Sequence, residues 1–311
     1  MKILIVGGTG LIGAHTALLL RQKGHEVTLA SRKPVIAASP MASFPALIGD
    51  YLADDFSRDT LARFDALIFA AGSDPRHIRA GVDEEEHWRR TNVEGVPHFF
   101  ARARDAGIRR AINIGSFYPQ AAPATIQKSA YVRSRYQVDQ AVRALNREGF
   151  EVVTLNPPFI VGMTPGDPRP KPFVYVRYAL GLISKTPVFA IPGGVNYMSV
   201  RSLAEAIAGA LERGEPGKAY LIGDENLSFR DYLGLYFGAL GRDGLPEIRD
   251  EANPLMPPSI GGPGSFLFFE TDGTDVARLG YRRSDIKAAV TEIVAAYHAY
   301  AAEANSASAA S

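Results

Sequence analysis

The segment AYVRSRYQVDQAVRAL (130–145) carries a phenol, Tyr131, and a guanidinium, Arg135, four residues apart. On a helix that spacing puts both side chains on one face. A free tyrosine titrates near about 10. Drawing it down by two or three units takes roughly 3–4 kcal/mol of preference for the phenolate, and a neighbouring cation supplies a share. Such a pair suits acid–base work at an oxygen atom. Arginine sets conditions of its own: the planar fork is bulkier than an ammonium, and it releases no proton at usable pH. A proton relay past Arg135 therefore runs through hydroxyls and water. Lys128, three residues before Tyr131, reads as an exposed loop lysine.

A second constellation lies at the N-terminus, where VGGTGLIG (6–13) follows a strand pattern and opens a helix pattern. It fits Gly8-x-Gly10-x-x-Gly13 and also Gly7-x-x-Gly10-x-x-Gly13. Glycines allow a sharp turn and the approach of a pyrophosphate, and the last lets helix and strand pack closely. The first helical N–H groups, at Leu11 and Ile12, offer donors and a partial positive charge. At the end of the second strand pattern stand Ser31, Arg32 and Lys33, where an NAD binder would carry an acidic residue. A guanidinium and an ammonium suit a 2′-phosphate, so NADP is expected over NAD.

Other chemistries fall away. The chain has no cysteine, which removes thiolate catalysis and disulfides and suits a reducing cytoplasm. Its six histidines are scattered, no G-x-S-x-G elbow occurs, and no metal is expected. The acidic run at 83–86 before His87 reads as the solvated start of a helix. His15, just past the glycine loop, reads as a helix-face residue. With 34 basic and 33 acidic side chains the formal charge is +1, which gives no reason to expect nucleic acid or an anionic membrane. No apolar run is long enough for a membrane span.

The elements that must position these residues follow an α/β pattern. Buried runs KILIVGG, HEVTLAS, DALIFAAG, RRAINIGS and FEVVTLNPP are separated by helical patterns, including TNVEGVPHFFARARDAG and the Tyr131 segment. Continuous apolar strands between helices predict a doubly wound parallel sheet covered on both faces. The 311 residues divide into a nucleotide-binding unit at 1–158 and a smaller, interleaved substrate lobe at 159–300, with 301–311 as a flexible tail. Within the second part, 162–172 reads as loop, 173–183 as a helix, and 219–225 as one more strand, returned to the sheet of the first unit. Phe159, Phe173, Tyr175, Tyr178, Leu182 and Phe189 either line an apolar pocket or form the lobe's own core, and for each one singly core is the preferred reading.

Taken together, these motifs resemble the extended short-chain dehydrogenase/reductases of the NAD(P)-dependent epimerase/dehydratase superfamily, over about residues 1 to 300. GGTGLIG, FAAG (69–72), TNVEG (91–95), INIGSFYP, LNPPFIVG and the later NYMSVRSLAEAI appear in the family's order. The run ALGLISKTPVFAIPGGVNYMSV is most similar to the dihydroflavonol-reductase-like and hydroxysteroid-dehydrogenase-like members. The resemblance implies a Rossmann-type sheet and a small-molecule substrate. It makes Tyr131 the proton donor or acceptor, Ser116 the holder of the reacting oxygen, and Arg135 the stand-in for a lysine on the nicotinamide ribose. It places Asp50 at the adenine, Ala70, Ala71 and Gly72 beside the adenosine half, Asn92 in support of the site, and Pro158 before the substrate loop. Asn156 stands where an arginine is common. Homodimerisation through a helical face is also a family habit. Three readings remain in order: a reductase, an epimerase or dehydratase, and a cofactor-binding sensor without turnover.

Overall fold

The computed structural model describes residues 1–75, 78, 80–183, 187–253, 255 and 260–309. Strands β1 (Lys2–Val6), β2 (Glu26–Ser31), β3 (Ala46–Ile48), β4 (Ala66–Phe69), β5 (Arg110–Ile114) and β6 (Glu151–Asn156) form the first half. Helices α1 (Leu11–Gln22), α2 (Arg58–Leu61), α3 (Glu84–Trp88), α4 (Gly95–Asp105), α5 (Tyr118–Ala121) and α6 (Ala130–Ala144) lie between them. The second half runs β7 (Phe159–Val161), α7 (Phe173–Ala179), β8 (Phe189–Ala190), β9 (Gly194–Ser199), α8 (Val200–Arg213) and β10 (Ala219–Leu221). It ends with β11 (Glu225–Ser228), α9 (Phe229–Ala239), β12 (Glu247–Ile248), β13 (Phe266–Leu267), α10 (Gly273–Leu279) and α11 (Ile286–Ala309).

Seven strands pair in parallel in the order β10-β6-β5-β4-β1-β2-β3. Alternate residues of β1 explain why helices cover both faces: Ile3 and Ile5 join one core with α1 and α8, Leu4 and Val6 the other with α4 and α6. The sheet is the doubly wound, Rossmann-type architecture that the apolar runs predict. Strand order reverses between β1 and β4, so a crevice opens at their carboxyl ends, the place such sheets bind ligands.

The second half builds a separate small sheet, in which β9 pairs with β7, β11 and β13. Helices α7, α9 and α11 pack together over an aromatic core. The run 219–225 is not one strand. Residues 219–221 join β6 in the large sheet, and from Glu225 the chain enters the small one. The helix expected at 173–183 stops at Ala179, before Gly181 takes a φ of 74°. The closing helix reaches Ala309, past the point where a tail was expected at 301. Its alanine-rich sequence favours helix and contains no breaker.

Candidate active site

The glycine loop leaves β1 and turns into α1. Gly7 has a φ of 83° and donates its N–H to the Ala30 carbonyl at 2.9 Å. A Cβ at Gly13 would lie 2.3 Å from the Gly7 carbonyl oxygen, so the chain's own packing demands that glycine. Gly10 differs: a Cβ there would meet only the Gly7 oxygen, at 3.4 Å. Gly10 also caps α1 without a side-chain bond, which leaves the N–H groups at the start of the helix, Leu11 and Ile12 among them, turned to open space. An anionic diphosphate matches that cradle of donors.

Around the crevice, Ala70, Ala71 and Gly72 follow β4, and Ala70 donates to the Val6 carbonyl at 2.9 Å. Arg32 and Lys33 are exposed beyond β2, where the Ser31 hydroxyl fixes the turn by donating to the Lys33 carbonyl at 2.7 Å. The Asp50 carboxylate accepts the Leu52 N–H at 3.0 Å. Beside it Tyr51 donates to the Thr91 carbonyl at 3.0 Å, and burial pushes its phenol up to about 12. Asp50 adds to that rise, while Arg135 and Arg32 oppose it. These three charges therefore share one neighbourhood.

Helix α6 begins under a cap, the Ser129 hydroxyl accepting the Val132 N–H at 3.3 Å. One turn in, Arg135 is only 7% exposed. Its Nη2 donates to the Ile114 carbonyl at the end of β5, 2.6 Å away. Nη1 lies where a Cβ on Gly72 would come within 2.3 Å, so the guanidinium fills the notch that this glycine leaves. Among the described residues Arg135 has no ion pair, and its buried Nε has no acceptor. A buried cation without a counter-charge costs several kcal/mol. A polar, electron-rich group beside the guanidinium, such as a ribose, offsets part of that cost.

Tyr131 is half-buried, its ring 5.2 Å from that of Trp88. Lys128 is exposed on the preceding turn. Ser116 follows β5, and its N–H donates to Asn156 Oδ1 at 3.0 Å. Asn156 in turn donates to Gln120 Oε1 at 2.7 Å. Asn92 ties the parts together. It accepts the Ser73 N–H at 3.1 Å and donates to the Ser73 carbonyl and the Ser134 hydroxyl, each at 3.2 Å. Ser134 donates to the Tyr131 carbonyl at 2.8 Å. Asn92 sits in a wide π-helical turn, Arg89–Glu94, a rare form that often marks a functional site. The sequence reading expected plain helix there and missed the turn.

Trp88, Ser73, Ser134 and Gln120 also escaped the sequence reading. Trp88 alone carried a signal, as the chain's single tryptophan. Beside Ser116, the rings of Phe117 and Tyr118 lie 4.2 Å apart. Phe159 packs 6.0 Å from Phe117, and Tyr197 lies 6.1 Å from Phe159. Burial, and then Tyr131, push the Tyr118 phenol far up, so it stays neutral. Of the suggested pocket residues, Phe173, Tyr178 and Phe189 are buried in the lobe's core, Phe159 is 41% exposed, and Leu182 lies on the surface. Pro158 is buried just after β6.

His15 bonds to the Met163 carbonyl at 2.9 Å and links α1 to the loop after β7. The acidic run starts α3, with Asp83 accepting the Glu86 N–H at 2.8 Å. Among the described residues no group of three or more His, Asp or Glu side chains could hold a metal ion, and no helix is long and apolar enough to cross a membrane.

Comparison with known proteins agrees with this fold. Residues 3–223 match the model of the NAD dependent epimerase/dehydratase family. A Synechocystis sp. protein named as dihydroflavonol 4-reductase is 26% identical over 74% of this chain and 69% of its own length. A UDP-glucose 4-epimerase of Erwinia amylovora is 27% identical over 72% of this chain and 78% of its own. The solved UDP-N-acetylglucosamine 4-epimerase of Bacillus cereus superposes with a TM-score of 0.71 at 13% identity, covering 96% of this chain and 99% of that one.

Proposed function

Because the chain belongs to the NAD dependent epimerase/dehydratase family, we propose that it is an NADP(H)-dependent oxidoreductase that interconverts a carbonyl and an alcohol on a small-to-medium apolar or aromatic substrate. Residues 1–158, with β10, act as the cofactor-binding unit, and 159–300 act mainly as the substrate lobe. Gly7, Gly10, Leu11, Ile12 and Gly13 receive the diphosphate. Ser31, Arg32 and Lys33 take the 2′-phosphate, Asp50 the adenine, and Ala70, Ala71 and Gly72 flank the adenosine half. When bound, the nicotinamide supplies or accepts a hydride.

Tyr131 gives a proton to the substrate oxygen in reduction and takes it back in oxidation. Ser116 holds that oxygen by a hydrogen bond, with its backbone fixed through Asn156. Arg135 sets its guanidinium charge beside the nicotinamide ribose and the Tyr131 side of the crevice. Asn92 holds the Tyr131 turn of α6 against the loop after β4, and Pro158 steers the chain from the cofactor toward the substrate.

The aromatic wall beside Ser116 carries the choice of reaction: Phe117, Tyr118, the 41% exposed Phe159 and Tyr197 offer an apolar bed. A second reading, epimerisation of a sugar nucleotide, is favoured by the identity with the UDP-glucose 4-epimerase. NADPH oxidation with a panel of aryl ketones and aldehydes separates the two. The native protein turns over at least one of them, and Tyr131→Phe is slower by about 10²–10⁴-fold. Conversion of a UDP-sugar with no net change in cofactor would favour the second reading instead. Native turnover no faster than that of Tyr131→Phe on every compound would leave a protein that binds its cofactor without chemistry.

A further inference from the structure

On the outer side of the lobe, α7, the segment before it and α11 enclose a pocket of about 230 Å³. Its lining shares no residue with the cleft around Tyr131 and Ser116. Three cations converge on it, Arg169, Lys171 and Arg177, all exposed. Among the described residues none of the three has a carboxylate partner. Elsewhere arginine is usually matched, as in Arg143 with Asp139, Arg201 with Asp285 and Arg282 with Glu205. The nearest acidic residue in sequence, Asp167, accepts the Arg169 backbone N–H at 3.0 Å.

The sequence also stiffens the cations' mounting. In DPRPKP (167–172) prolines alternate with Arg169 and Lys171 and fix the backbone on either side of each. A preorganised pair loses less entropy when it takes a ligand. The floor is aromatic: Phe173 lies 5.4 Å from Tyr297 and 5.6 Å from Tyr300 between ring centroids. Tyr300 is 39% exposed, so a ring face remains open. Guanidinium forks match phosphate or carboxylate oxygens in pairs, and an open ring face stacks on another ring. A cavity of about 150 Å³ already holds benzene. The volume here suits one ring with an acidic group and is too small for a dinucleotide.

We propose that this pocket is a second binding site, apart from the catalytic cleft, for a single-ring aromatic anion bearing a phosphate or carboxylate. The test is calorimetric titration of the full chain, saturated with NADPH, using phenyl phosphate, benzoate and inorganic phosphate as probes. At least one aromatic probe binds, more tightly than inorganic phosphate, and added salt weakens it. The double variant Arg169→Gln/Arg177→Gln weakens binding by at least about tenfold, and Tyr300→Ala weakens it further, while NADPH oxidation is kept. A stronger response to phenyl phosphate identifies phosphate as the preferred acid, and a stronger response to benzoate identifies carboxylate. Absence of binding by either aromatic probe, equal affinity for inorganic phosphate, or unchanged affinity in the double variant would overturn the proposal.

Discussion

The two cores of this molecule are made of different material. The central strands of the large sheet bury aliphatic groups, such as Ile3, Leu4 and Ile5 of β1 and Leu67 and Ile68 of β4. The lobe buries rings with hydroxyls: Tyr178, Tyr197, Tyr232 and Tyr236. Aliphatic strands place no polar demand on their surroundings, because the sheet ladder already satisfies the backbone. Around the glycine loop at their carboxyl ends the contacts are backbone to backbone, as from Gly7 to Ala30 and from Ala70 to Val6. The lobe pairs buried phenols within itself: Tyr178 donates to the Phe189 carbonyl at 3.0 Å, and Tyr232 and Tyr236 pair at 3.1 Å. One region is held by close approach, the other by rings and their polar tips. On the proposed function, cofactor chemistry uses the first kind of precision, and substrate selection draws on the second.

The comparison breaks most sharply at Gly13. Its missing Cβ would lie 2.3 Å from the Gly7 oxygen and 2.7 Å from the Gly8 Cα, and neither backbone atom can give way cheaply. Gly13→Ala is expected to cost about 3 kcal/mol and to abolish NADPH binding, read from thermal unfolding and a fluorescence titration. A smaller effect is expected in the lobe. Tyr236→Phe keeps the ring, stacked 5.6 Å from Tyr175, and removes only the hydroxyl that pairs with Tyr232. The loss is about 1 kcal/mol in urea unfolding, with NADPH affinity unchanged. If nucleotide binding falls together with stability, the two regions are not energetically separate and the contrast fails.

The same contrast explains what the sequence made legible. Strands β1, β2, β4, β5 and β6 were readable because each is a short apolar run bounded by a glycine, a polar turn or a proline. The edge strand β3 has only three residues, and its burial alternates weakly. Strand β9, GVNYMS, is buried throughout, yet its glycine and asparagine are poor strand formers. Its partners β7, β11 and β13 come from distant parts of the chain, so no local pattern announces the small sheet. The Tyr131–Arg135 pair was visible from its four-residue spacing together with the resemblance that sets a lysine at the second position. The surroundings of Arg135 were not, because they depend on Gly72 and Ile114 at the ends of two other strands. Aromatic content in the lobe was plain, but which rings face a ligand depends on packing: Phe159 is open where Tyr178 and Phe189 are closed.

The smallest expected effect concerns the joint between the regions. His15 on α1 meets the Met163 carbonyl of the loop after β7 at 2.9 Å, and burial holds its pKa below the ordinary value. The Met163 bond and Glu292 pull the other way, and Arg201 adds to the lowering. The folded chain therefore favours neutral imidazole, which can still donate one N–H to that carbonyl. Unfolded histidine takes up its proton near about 6.5. Above that value both states are neutral and the stability from this site is fully present. Below it the unfolded chain binds the extra proton first, so stability falls as pH drops toward the lowered folded pKa. Unfolding midpoints measured from pH 7.5 to 5.5 should decline less steeply in His15→Gln than in the native chain. Identical slopes would mean that this link bears no titrating load and that loop and helix are joined by packing alone.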